Sequence, residues 1–238
     1  MKICNVEVTG FEAAFRGMRQ PLQSHHKSDS SYWLPNMYQD EYDRIVGLDV
    51  IWDPYHLGEN DKKLAKKLID GGEPHRKFLR YIHVTMDLTA EQTFWNQFDT
   101  YKIGTTANST SKMHKLADTP ITLDCFEMDD YEELDWKDSE GFMEEYNSSF
   151  VWDNLIDTLE SLRRKYNETK DVRYWTELLR LLPESWLQTR TIDLNYEVLR
   201  TMYYWRYNHK LRTWREFCAW IAENLPYAGL LITDEECE

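Results

Sequence analysis

The 238-residue chain is poor in glycine (9) and proline (7), and it has only 4 cysteines. So little Gly and Pro excludes a collagen-like or Pro/Gly-rich low-complexity chain. Cys4, Cys125, Cys218 and Cys237 form no CxxC pair. The spacing of a zinc ribbon or a redox dithiol is therefore missing, and the cysteines read as free, mostly buried thiols. No apolar run approaches the roughly 18 residues a membrane span needs. The opening residues MKICNVEVTG lack the apolar core of a secretion signal, so the expected location is cytoplasmic. The sequons at Asn108, Asn147 and Asn167 then carry no sugar. Positive charge is also scarce: 28 basic residues face 42 acidic ones, for a net charge of -14. That balance argues against a duplex-DNA binder, which needs a basic face. No GxSxG, HExxH, Walker or GxGxxG pattern occurs, so the common hydrolase, zinc-protease, NTPase and Rossmann readings lack support. His25-His26 is a tempting metal pair, but adjacent side chains point different ways on most backbones, and a loop is the simpler reading.

What is present is apolar and aromatic. Hydrophobic residues make up 42% of the chain, and Trp (10), Tyr (15) and Phe (9) are all plentiful. Such a chain buries a substantial core, which excludes intrinsic disorder. Its length suits one large domain or two small ones. The negative charge is concentrated between Asp124 and Glu145, where eleven acidic residues face Lys137 alone. That segment carries -10 of the total, so the rest of the chain is nearly balanced and free to hold a small anion. The segment reads as a solvated surface insertion at about 124–147. A cation site or a patch directed at a basic partner is the alternative.

Periodicity predicts the elements. Ile3, Val6 and Val8 suggest a strand over 2–8, and Phe11–Met18 a helical turn. Leu64, Ala65, Leu68 and Ile69 share one face of a helix over 61–69 that stops at Gly71-Gly72. Ile82, Val84, Met86 and Leu88 alternate with polar residues, as in a half-buried strand. Thr89 with Gln92 reads as a capping box opening a helix to Phe98. Helices follow on the stripes Leu155–Leu162 and Trp175–Leu182, then over about 193–207 and about 213–223, with Pro226 ending the last. The expected class is α+β: a small antiparallel sheet flanked by helices, with a helical C-terminal half, in a single domain over 1–238.

Two stretches carry chemistry. Between Thr100 and Ser111, seven residues are Thr, Ser or Asn, directly after a helix. Hydroxyls, amides and free backbone N–H groups suit an anion or a nucleotide base. Downstream, Leu182-Pro183 is followed by Arg190, Asn195, Arg206 and His209. Arg190 and Arg206 offer planar donor forks for an oxyanion or phosphate, although a lone Arg is more often a surface ion-pair residue.

Together the stretches resemble the flavin-dependent thymidylate synthase family, commonly called ThyX. That family carries R-H-R-x-x-S-x-N-x-x-S-x-R with a Gln three residues before it. Here Gln97 holds the Gln position, Thr100-Tyr101-Lys102 the R-H-R position, and Asn108 to Ser111 the N-x-x-S, with one residue inserted. Leu182-Pro183, Asn195, Arg206, His209 and Trp214 follow in the family's order. The resemblance implies that Gln97, Ser111 and Arg206 hold dUMP or a related pyrimidine nucleotide, and Lys112 and Arg190 are further candidate substrate ligands. It implies that Arg206 is the catalytic group favouring the electron-rich uracil. Lys102, Asn108, Asn195 and His209 would contact FAD. If the chain is active, NADPH and methylenetetrahydrofolate follow as co-substrates. The resemblance also implies a homotetramer, and no membrane or duplex-DNA partner is expected.

The chain also departs from the pattern. Only Lys102 keeps a positive charge at the R-H-R triplet, Met113 replaces the closing Arg, and Leu179 stands where a phosphate-binding Arg is expected. An exchange at a bidentate Arg site is not conservative. Three readings stay open: a flavin-dependent methyltransferase, a catalytically inactive protein of the same fold that binds or sequesters nucleotides, or an interaction protein acting through the acidic insertion.

Overall fold

A computed structural model describes residues 1–32, 50–128, 135–136 and 146–232. Most of the acidic insertion lies outside the described residues, and so does Cys237. The chain forms two compact units. The first comprises Met1–Thr89, Asn96–Asn108 and Arg190–Glu238; the second comprises Ala90–Trp95 and Ser109–Thr189.

The first unit is built on a five-stranded sheet. Its strands are β1 (Lys2–Thr9), β3 (Val50–Trp52), β5 (His83–Glu91), β6 (Thr105–Ser109) and β9 (Leu187–Asn195), in the order β3-β1-β5-β9-β6. β1 runs antiparallel to β5 but parallel to β3, so the sheet is mixed rather than purely antiparallel. Alternation decides which face is buried. Val6 and Val8 of β1, Val84, Met86, Leu88 and Ala90 of β5, and Ile192 and Leu194 of β9 are all buried. The β1–β5 register slips between Cys4 and Glu7, where Asn5 turns left-handed (φ 52°) and its amide donates to Asp87 at 2.7 Å. Short β2 (Ser31–Tyr32) and β4 (Tyr55–His56) pair separately.

Helix α1 (Phe11–Arg19) lays Phe11, Ala14, Phe15 and Met18 into the core, the i, i+3, i+4, i+7 face of an amphipathic helix. Each buried Phe contributes about 2–3 kcal/mol. Helix α2 (Glu59–Asp70) buries Ala65 and Ile69, and also Asp61, which is 0% exposed. Asp61 accepts from Arg19 at 2.5 Å, Ser28 at 2.5 Å and Ser30 at 2.6 Å. The Asp29 carboxylate receives the backbone N–H groups of Asn60 and Asp61, which lowers its pKa against a burial effect of opposite sign. The α2 N-terminus is thus tied to the 28–30 segment by hydrogen bonds and to Arg19 of α1 by an ion pair. Helices α7 (Tyr196–Arg206) and α8 (Arg212–Asn224) complete this unit, burying Leu199, Met202, Trp214, Phe217 and Ile221.

The second unit is helical. Helix α5 (Ser148–Thr169) packs against α6 (Val172–Leu181), with Lys170 at φ 56° turning the chain and Asp171 capping α6. Leu159 and Leu178 from the two helices share a core with Leu116, Ile121 and Phe126. Glu160 accepts from Arg163 at 2.7 Å and from the Ile121 backbone at 3.0 Å. Helix α3 (Gln92–Phe98) starts in this unit and ends in the first. The unit also contains the short α4 (Lys112–Lys115) and the antiparallel pair β7 (Asp135–Trp136) and β8 (Tyr146–Asn147).

Three local expectations need correction. Thr89 is not a helix cap: the strand runs on to Glu91, because Ala90 and Glu91 are both buried. Gln92 serves its own unit instead, donating to the Trp186 carbonyl at 3.4 Å and accepting from Lys112 at 2.8 Å. The helix read from about Asp193 begins at Tyr196, with Asn195 as its N-cap. Residues 187–195 form a strand that the periodicity does not predict, and 105–109, within the hydroxyl-rich stretch, form another. No helix among the described residues is long and apolar enough to cross a membrane.

Candidate functional site

In the first unit, the end of α3, the end of α7 and the start of α8 bring Gln97, Arg206 and Trp214 together. The Gln97 side-chain oxygen Oε1 accepts two hydrogen bonds, from Arg206 Nη1 at 3.1 Å and from Trp214 Nε1 at 3.0 Å. Both partners are donors only, so this geometry fixes which end of the Gln97 amide is oxygen. Arg206 Nε donates to the Tyr101 hydroxyl at 3.0 Å. The guanidinium also lies 5.0 Å from the Trp214 ring centroid and 5.8 Å from that of Tyr101, within reach of a cation–π interaction with each. Trp214 is fully buried, while Gln97, Tyr101 and Arg206 are half-buried.

The open groups matter most. Among the described residues, nothing accepts from the Gln97 amide nitrogen or from Arg206 Nη2. The one buried side-chain polar atom among them without a partner is Ser185 Oγ, so these donors reach solvent. The cage presents a cation and an N–H₂, and the Gln97 oxygen is already filled by two donors.

The loop behind the cage is held tightly. Asn195 accepts from Val198 N at 3.1 Å, capping α7. Gly104 sits against it with φ +75°, and a Cβ there would lie 2.8 Å from Asn195 Nδ2 and 3.1 Å from Val198 Cγ2. Only glycine suits that conformation and that approach. Asn195 is thus buried with its oxygen used as a helix cap and its nitrogen packed on the loop.

His209 follows α7. Its Nδ1 accepts from Leu211 N at 3.1 Å, so the neutral ring carries its proton on Nε2. Burial, together with Arg206 and Arg215, pushes its pKa down. Arg190 donates to Asp99 at 2.7 Å, an ion pair within the first unit. Lys102 and Asn108 are exposed. Cys218, on α8, is buried, and burial drives its thiol up to about 12, which leaves it unreactive.

Ser111 and Lys112 belong to the second unit. They line a cleft of about 160 Å³ together with Thr110, Thr119, Trp186 and Thr189. Lys112 Nζ donates to Gln92 at 2.8 Å, and the Gln188 amide donates to the Thr110 carbonyl at 2.8 Å. The cleft offers hydroxyls and an ammonium, groups that suit an anion.

The structure therefore brings Gln97 and Arg206 together in one unit and Ser111 and Lys112 in the other. The parts played by Tyr101 and Trp214 were not read from the sequence. The signals were there: Tyr101 stands at the family His position, and Trp214 follows Arg206 at the family interval.

Two solved structures are similar over the whole chain. A flavin-dependent thymidylate synthase ThyX from Helicobacter pylori, complexed with FAD and dUMP, matches with a TM-score of 0.63 and 17% identity over 100% of both chains. A second structure of the Helicobacter pylori ThyX with FAD and dUMP matches with a TM-score of 0.63 and 16% identity, over 100% of this chain and 99% of that one. The fold is ThyX-like. No protein-family model matches the chain, and no curated protein matches its sequence. The likeness to ThyX therefore concerns the fold.

Proposed function

We propose that this ThyX-like protein binds a pyrimidine nucleotide of the dUMP class through the Gln97–Arg206 cage. The observation that carries the reading is the pair of open donors. A pyrimidine ring presents carbonyl oxygens, and the Gln97 N–H₂ and Arg206 Nη2 are placed to meet an acceptor. The guanidinium also favours negative charge on the ring it touches, and its setting between two aromatic rings reduces competition from water. That Gln97, Asn195 and Arg206 stand in the family order, on a chain with the family fold, supports the same reading.

Within the second unit, Ser111 and Lys112 are proposed as anion ligands. Lys115 of that cleft faces Asp118 at 2.9 Å, and this hydrogen bond raises its pKa. Arg190 is the weaker member of the proposed set, since Asp99 already holds it.

FAD fits the residues only in part. Lys102 and Asn108 are exposed, and His209 keeps its Nε2 edge. Asn195 uses its amide oxygen as a helix cap, and a single cation stands where the family triplet has three basic residues. The function is accordingly placed at binding, with no redox step assigned to these side chains. NADPH and methylenetetrahydrofolate enter only with catalysis; a tetrameric assembly is proposed with either reading.

Calorimetric titration with dUMP tests the reading. Wild type binds, and Arg206→Ala weakens binding by at least tenfold, the scale of one lost charged hydrogen bond. Wild type that takes up no pyrimidine nucleotide overturns it. An absorbance spectrum of the purified protein decides the cofactor: flavin bands extend the function toward methyl transfer, whereas a colourless protein unchanged by added FAD confines it to binding.

A further inference from the structure

We propose that Tyr101 is the positioning residue of this site, fixing Arg206 so that Nη2 is aimed at the ligand; the proposal rests on the nucleotide-binding reading above. Arginine is long, and an unrestrained guanidinium loses much rotamer freedom on binding. Here three contacts remove that freedom in advance. Tyr101 Oη takes Nε at 3.0 Å, Gln97 takes Nη1 at 3.1 Å, and Trp214 supplies a ring face at 5.0 Å. Nε donates and cannot accept, so the Tyr101 oxygen is the acceptor and its own O–H proton points elsewhere.

Tyr101 is itself held from both sides. Its backbone N–H donates to Phe98 O at 3.0 Å, and its carbonyl receives the Thr105 hydroxyl. Three residues on, Gly104 presses against Asn195 and Val198. Its ring lies 6.0 Å from Trp205 and 6.0 Å from Trp214. A flexible loop would not hold a phenol against a guanidinium; this loop is anchored to α3 on one side and to the cap of α7 on the other. The family motif carries His at this position, so the positioning group differs in this chain. A site offering only donors selects ligands that present acceptors or negative charge.

The test is a double-mutant cycle read by calorimetric titration with dUMP, with melting temperature as the control. Tyr101→Phe keeps the ring and removes the oxygen. It is expected to weaken dUMP binding about tenfold without moving the melting temperature. Tyr101→His restores an acceptor nitrogen and recovers most of the affinity. In an Arg206→Ala background, Tyr101→Phe has no further effect, because its action passes through Arg206. Equal affinity of wild type and Tyr101→Phe overturns the positioning role and leaves the nucleotide reading standing. Full additivity with Arg206→Ala also overturns it. Wild type that does not bind dUMP removes both.

Discussion

Replacing Gly104 by alanine probes the packing that supports the site. Gly104 has φ +75°, and its missing Cβ would lie 2.8 Å from Asn195 Nδ2 and 3.1 Å from Val198 Cγ2. The left-handed conformation costs an alanine about 1 kcal/mol. The overlap must then displace Asn195, whose oxygen caps α7 at 3.1 Å. Disturbing an N-cap costs about 1 kcal/mol more. The expected loss is about 2–3 kcal/mol, or a melting temperature lower by roughly 4–10 °C for a chain of this size. Gly229→Ala is the control, since nothing lies within 4 Å of a Cβ there. It should be neutral or stabilise by about 0.4–1 kcal/mol through the unfolded chain. Thermal melts followed by circular dichroism give both values. Gly104→Ala melting with wild type would refute the close approach. Equal losses at both positions would show that the cost comes from losing any glycine. The same variant should also weaken dUMP binding, because the displaced loop carries Tyr101.

Three further predictions address other parts of the fold. Asp61→Ala strands the buried Arg19 charge and should cost about 3–5 kcal/mol, read as a lower urea midpoint or a loss of soluble protein; near-native stability would refute the network of Arg19, Ser28 and Ser30. Arg163 beside Glu160 holds that carboxyl at about 2, below its ordinary 4.5. A carboxyl depressed in the folded state stabilises above its unfolded value, so melting temperature should fall as pH drops from about 4.5 toward 2, and Glu160→Gln should flatten that limb. His209 is depressed by burial first and then by Arg206 and Arg215. Its neutral form is favoured in the fold, so its contribution is complete above pH 6.5 and declines as pH falls below that value. A stability profile between pH 5 and 8 that is the same for His209→Gln would refute this.

Much of the molecule is legible in the sequence because period and burial coincide. The alternation Val84, Met86, Leu88 marks a strand with one buried face, and the structure buries all three. The stripe Leu64, Ala65, Leu68, Ile69 lies in a helix observed at Glu59–Asp70. Where polar residues are structural, the pattern misleads. Residues 187–195, whose last three fall in the helix expected from about 193, form a strand whose Thr191 and Asp193 bond across to Asp87 and Thr85. Sheet edges and exposed strand faces carry no apolar signal, so β6 was read as a polar loop.

The sequence by itself determined the α+β class, the positions of most helices, and the order of Gln97, Asn195 and Arg206 along the chain. These follow from local periodicity and from spacing along the chain. The tertiary structure alone decided what each polar group does. It gives the Asn195 oxygen to a helix cap, turns the Gln97 oxygen to Arg206 and Trp214, and makes Tyr101 the acceptor for Arg206 Nε. The reason is physical. A hydrogen bond depends on direction and distance between groups far apart in the chain, here as many as 117 positions, and no local pattern encodes that meeting.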